Sequence, residues 1–102
     1  PGFSWYNLHG GKFDQIPRLK GQFFWNQVAG NLNRGAEMLY VAMFDEIDEG
    51  TAICRVSAAP PEGGKCRFLT YDVPGDHYLF LAGEAGKALR GPRPVPAEMP
   101  KR

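Results

Sequence analysis

Apolar residues fall along this chain in two rhythms, and the change from one to the other marks out its expected elements. Across 22–34, Phe24, Val28 and Leu32 recur every four positions with Trp25 and Ala29 beside them, the pattern of a helix with one buried face. Gly35 follows where a helix C-cap glycine belongs. The run 38–44, Met-Leu-Tyr-Val-Ala-Met-Phe, is then uninterruptedly apolar and rich in Tyr, Val and Phe, which predicts a buried strand. A second helical stripe, Tyr78, Leu81, Ala82, Ala85, Ala88 and Leu89, predicts a last helix capped by Asp76 and stopped by Gly91-Pro92. Residues 1–5 read as the tail of a strand whose beginning is missing, and 7–20, broken by Gly10-Gly11 and Pro17, as a loop. Shorter extended candidates at 51–56 and 67–71 flank the turn-rich 59–64.

Strand, loop, helix, turn and strand in that order form a βαβ unit, which calls for a parallel sheet with a right-handed crossover. The expected class is therefore α/β. Two strands and two helices do not close a sheet by themselves, and they look like the C-terminal part of a (β/α)8 TIM barrel, a fold of about 250 residues. On this reading residues 1–91 are the C-terminal portion of such a barrel and the chain is a fragment. Residues 92–102, with Pro92, Pro94, Pro96 and Pro100, have little to bury and are expected to form a disordered tail.

Composition narrows the functional classes more than it names one. With 12 basic and 11 acidic side chains the formal net charge is +1, so there is no electrostatic case for nucleic acid or an anionic membrane. The apolar runs are too short to span a bilayer. Cys54 and Cys66 could pair across a hairpin or stand as two free thiols, because spacing alone does not decide geometry.

The candidate chemistry lies just past the predicted strand. Asp45, Glu46, Asp48 and Glu49 crowd four carboxylates into five residues, followed by Gly50-Thr51. Crowded carboxylates repel, which pushes their proton affinities apart, and a general acid working with a general base needs that separation. Glycosidic cleavage uses such a pair, and two glutamates three residues apart on a tight loop can face one pocket. The plain alternative is a solvated acidic loop. A calcium loop is not matched, because Ile47 and Val56 stand where its third and twelfth ligands belong, and no metal or other cofactor is expected.

The stretch Phe44-Asp45-Glu46-Ile47-Asp48-Glu49-Gly50-Thr51-Ala52-Ile53 resembles the strand-end motif Phe-Asn-Glu-Trp-x-Glu-Gly-Thr-x-Ile of glycoside hydrolase family 99, the endo-α-mannosidases and endo-α-mannanases. The wider family 71/99-like group is similar in three further places: Pro-Gly-Phe-Ser-Trp at 1–5, Ile-Pro-Arg-x-x-Gly-x-Phe-x-Trp at 16–25, and Tyr-Val-Ala-Met-Phe-Asp-Glu at 40–46. The likeness implies a (β/α)8 barrel that hydrolyses glycans with retention. It maps the catalytic pair onto Glu46, which assists the sugar's own 2-hydroxyl as nucleophile, and Glu49, the general acid and then base. Asp45 stands for the motif's Asn and Ile47 for its Trp, with Asp48 an added charge. A non-catalytic carbohydrate-binding relative, or an inactive truncated product, is the alternative that these departures leave.

In the barrel reading Trp5, Tyr6 and His9 sit beside the acidic loop. Trp5 would form a stacking wall for a sugar and His9 a partner for its hydroxyls, and Asp45 joins them as a substrate contact. Barrel core is the competing role for Trp5. Arg18 reads as an ion-pair anchor for the loop rather than as a substrate clamp. Family members are often exported, so the likeness points to a secreted or periplasmic location.

Overall fold

The computed structural model describes residues 1–61, 63–71 and 73–102, and of His9 the backbone alone. Among these residues three α-helices carry the regular structure: the single turn α1, Tyr6–His9, then α2, Gln22–Asn33, and α3, His77–Arg90. A 3-10 turn, Leu19–Gly21, leads into α2.

The helical rhythm is realised in packing. Phe24, Trp25, Val28, Ala29 and Leu32 on α2 are buried and meet Tyr78, Leu81 and Ala85 on α3, with Ile53 and Val95 completing the core. Gly30, Asn31 and Asn33 are weak helix formers, so α2 owes its stability to this buried face more than to propensity. It ends in a Schellman motif: Gly35, at φ +98°, donates its N–H to Leu32, and Ala36 donates to Asn31. Asp76 does sit at the N-cap of α3, but its carboxylate does not cap the helix. It accepts from Arg102 Nη2 at 2.7 Å instead, and that hydrogen bond holds its pKa below the ordinary value.

The α/β expectation is corrected. Among the described residues no strand and no sheet forms, and the only β-pairing is an isolated antiparallel bridge between Phe3 and Ile16. The described residues contain no βαβ unit and hence no part of a (β/α)8 TIM barrel. The run 38–44 does not coil into a helix, yet it does not become a strand either. Leu39 and Val41 turn onto the core, while Met38 and Tyr40 are 79% and 80% exposed and Phe44 is 60% exposed. The reason is pairing. A strand is stabilised by neighbours that take its backbone groups and cover its second face, and here no ladder lies alongside 38–41. The extended candidates at 51–56 and 67–71 likewise form no ladder, although Ile53 and Cys54 donate backbone hydrogen bonds to Phe44.

The proline-rich segment 92–102 buries more than its composition suggests. Val95 is in the core, its backbone N–H and carbonyl both bonded to the Asn33 side chain at 2.7 and 2.9 Å. Trp25 donates its Nε1–H to Pro96 at 3.0 Å. Arg93 donates to the carbonyls of Leu32, Ala88 and Gly91, satisfying the open C-terminal ends of α2 and α3 together.

Leu81 is fully buried between the two long helices, whereas Leu79, two residues earlier, is 39% exposed. Leu81→Ala is expected to lower stability by about 2–5 kcal/mol, and Leu79→Ala by less than about 1 kcal/mol. Urea unfolding of both variants checks this, and equal losses would place the core elsewhere.

Candidate functional site

The acidic residues 45–49 lie on a loop closed on itself and pinned from below. Its closure begins with Glu46, whose carbonyl accepts from the Thr51 N–H at 3.1 Å and from Thr51 Oγ1 at 3.3 Å. Ile47 donates its N–H to Asp45, and Gly50 donates to Ile47, so the chain reverses within six residues. Gly50 has φ +69°, and a Cβ there would run into the Leu69 side chain. Both facts call for glycine at that position.

Beneath the loop lies Arg18, 5% exposed. Its Nε donates to the Gly50 carbonyl at 2.9 Å, and its Nη2 donates to Gly50 and, at 2.8 Å, to Ala52. The guanidinium stacks against the Tyr71 and Tyr78 rings, 4.1 and 4.3 Å from their centroids. Burial pushes both tyrosine hydroxyls above their ordinary pKa, opposed by the Arg18 charge. Arg18 thus holds the loop through backbone carbonyls, and among the described residues not through the ion pair that the sequence suggested.

Two further ties come from the N-terminal segment. Ser4 donates its backbone N–H to Glu49 at 2.7 Å. Asn7 Nδ2 donates to Asp48 at 2.8 Å and to Arg67 at 2.9 Å, while its Oδ1 accepts the Arg67 N–H at 2.7 Å. In the sequence Asn7 stands only as the first residue of a loop. An amide side chain able to donate and accept at once, next to a predicted site aromatic, is the one signal that could have singled it out.

Ser4 and Asn7 thus tie the segment that carries Trp5 and Tyr6 to the acidic loop, and no barrel strand does so. Trp5 is 37% exposed and packs edge-on to Phe3, with ring centroids 4.8 Å apart. Tyr6 is half-buried, edge-on to Phe13, and the Arg67 guanidinium lies 3.8 Å over the Phe13 ring. The His9 side chain lies outside the described residues. Asp45 is exposed, and Glu46 and Glu49 are half-buried. The negative charge of Glu49, then partial loss of water, then Asp48 and Asp45 raise the Glu46 pKa above its ordinary value. An apolar hollow of about 380 Å3 beside the loop is lined by Asp45, Ile47, Cys54, Phe68, Leu69 and Tyr71, but not by Glu46 or Glu49. Cys54 and Cys66 are both free thiols. Among the described residues no three His, Cys, Asp or Glu side chains gather as a metal-binding group. No helix there is long and apolar enough to cross a membrane. Compared with known proteins, the chain matches no family model, and no curated protein and no solved structure is significantly similar to it.

Two outcomes follow from this geometry. A carboxylate whose folded pKa is raised weakens the fold as pH climbs from the unfolded value, about 4.3, through the folded one, and the penalty is complete above it. Glu46→Gln should therefore raise the melting temperature at neutral pH and leave it unchanged at pH 3, by thermal unfolding at the two values. Arg18→Gln should cost about 2 kcal/mol or more and accelerate hydrogen exchange at the amides of Thr51 and Ile53 relative to those of α2.

Proposed function

We propose that the acidic loop acts on glycans and cleaves a glycosidic bond with retention, using Glu46 and Glu49 as its working pair. What carries this reading is electrostatic: Glu49 raises the proton affinity of Glu46 within a loop whose backbone is held by Arg18, Ser4 and Asn7. Repulsion between the two carboxylates favours a pair that shares one proton. In the working state that proton is on Glu49, and the ionised Glu46, made the stronger base by its neighbours, draws the proton from a sugar 2-hydroxyl as that oxygen attacks the anomeric carbon. In the same step Glu49 gives its proton to the departing oxygen; as a carboxylate it then takes a proton from the water that opens the 1,2-anhydro intermediate, while Glu46 returns its proton to the 2-oxygen. The residue likeness over 44–53 to the family 99 motif supports the same pair. So does the nearness of Trp5 and Tyr6, whose faces suit the C–H surface of a pyranose. The substrate class is a glycan or oligosaccharide.

A second reading, sugar binding without turnover, is favoured by one observation. The apolar hollow beside the loop is lined by Asp45 and Ile47 rather than by the two glutamates.

Turnover of aryl glycosides and a sugar-binding titration, run side by side on the protein that carries this sequence, separate the two readings. Hydrolysis with retained anomeric configuration is expected, and Glu49→Gln should lower kcat by about 100-fold or more, less for substrates with an activated leaving group. Undiminished rate in that variant removes the assignment. Binding without turnover in the parent chain selects the second reading.

A further inference from the structure

The Arg18 guanidinium is not fully used by the contacts that hold the acidic loop. Its Nε donates once and its Nη2 twice, to Gly50 and Ala52. Nη1 is buried and has no hydrogen-bond partner among the described residues. A guanidinium stays charged at any ordinary pH, so these buried donors cannot be relieved by losing a proton. The Tyr78 hydroxyl, buried as well, is the other buried polar side-chain atom without a hydrogen-bond partner among the described residues. Both residues line one cavity of about 120 Å3, together with Asp14, Lys20, Leu69 and Tyr71. Arg18 lies close enough to the Tyr78 hydroxyl to draw down the pKa that burial raises, yet neither Nη1 nor that hydroxyl completes a well-formed hydrogen bond. Two such groups around one space are unusual, because buried polar atoms in folded proteins are nearly all paired.

We propose that this cavity is a binding site for a small monoanion, a carboxylate whose oxygens accept from Arg18 Nη1 and Tyr78 Oη. Nothing in the hydrolytic reading of the acidic loop requires such a site. Size and charge both select the ligand class. The volume equals roughly four water molecules at about 30 Å3 each, room for formate or acetate and too little for a sugar. One buried cation with unused donors suits a single negative charge. Asp14 forms no ion pair with Arg18 among the described residues, but its carboxylate in the lining weighs against a dianion such as hydrogen phosphate. Water could fill the space, yet it would leave the buried charge uncompensated, and an unpaired buried charge is more costly than an unpaired dipole. Burial holds the Tyr78 hydroxyl above its ordinary pKa, so it remains a donor at neutral pH. Because the same guanidinium grips the Gly50 and Ala52 carbonyls, an anion seated on Nη1 would stiffen the base of the acidic loop.

The test is NMR saturation transfer from the protein to the methyl protons of acetate at constant ionic strength, on the parent chain and on Tyr78→Phe. Arg18 itself is left in place because it also anchors the loop. Saturable transfer is expected in the parent, displaced by formate and not by an equal concentration of hydrogen phosphate. Tyr78→Phe keeps the ring and removes one donor, so acetate affinity should fall about fivefold. The same variant should melt higher than the parent in acetate-free buffer, since it no longer buries an unpaired hydroxyl, and acetate should stabilise it less. Absence of transfer in the parent would mean that water or a carboxylate of the chain already serves Nη1, and the proposal fails. Transfer of equal affinity in Tyr78→Phe would mark binding at surface cations and also overturns it.

Discussion

A buried guanidinium that no carboxylate pairs with among the described residues is the constraint around which this small molecule is arranged. Arg18 comes directly before the turn that starts α2, and it reaches loop backbone more than thirty positions away. Two carbonyls and two tyrosine rings replace its water. Carbonyl dipoles and aromatic faces stabilise a cation without neutralising it. Tyr78 also belongs to the packed face of α3, so the charge and the core share a wall. Loosening one therefore loosens the other.

That sharing explains how an acidic loop keeps a defined shape in a chain with little regular structure. Four carboxylates within five residues repel, and the repulsion favours an open loop in solution. Against it act the closure of Glu46 by Thr51, the left-handed Gly50, the Arg18 bonds from below and the Ser4 and Asn7 bonds from the side. Every one of these ties is to the backbone of the loop. The carboxylates are left outside the scaffold, and their mutual repulsion shows in the raised proton affinity of Glu46.

The exposed face of 38–44 has the same origin seen from the other side. Its inward residues, Leu39 and Val41, find the α2–α3 core, and its outward residues, Met38, Tyr40 and Phe44, find water. A run apolar on both faces is written for a position between two layers. In the described residues one layer is present.

What the sequence alone determined is what short-range periodicity can carry. Phe24, Val28 and Leu32, and later Tyr78, Leu81 and Ala85, are each spaced to fall on one face, so both long helices and the glycine that ends α2 were legible, nearly to the residue. The acidic cluster and the role of Arg18 as an anchor were legible too, since charge density and a Pro-Arg turn are local features. Tertiary structure decided the rest. A β-branched and aromatic run becomes a strand only if another segment pairs with it, and nothing within 38–44 states whether that partner exists. Asp76 had a cap position but gave its carboxylate to Arg102, and the proline-rich end found a seat against Asn33 and Trp25 through backbone groups that composition does not reveal. These contacts join residues tens of positions apart. Their free energy depends on where the whole chain has already gone.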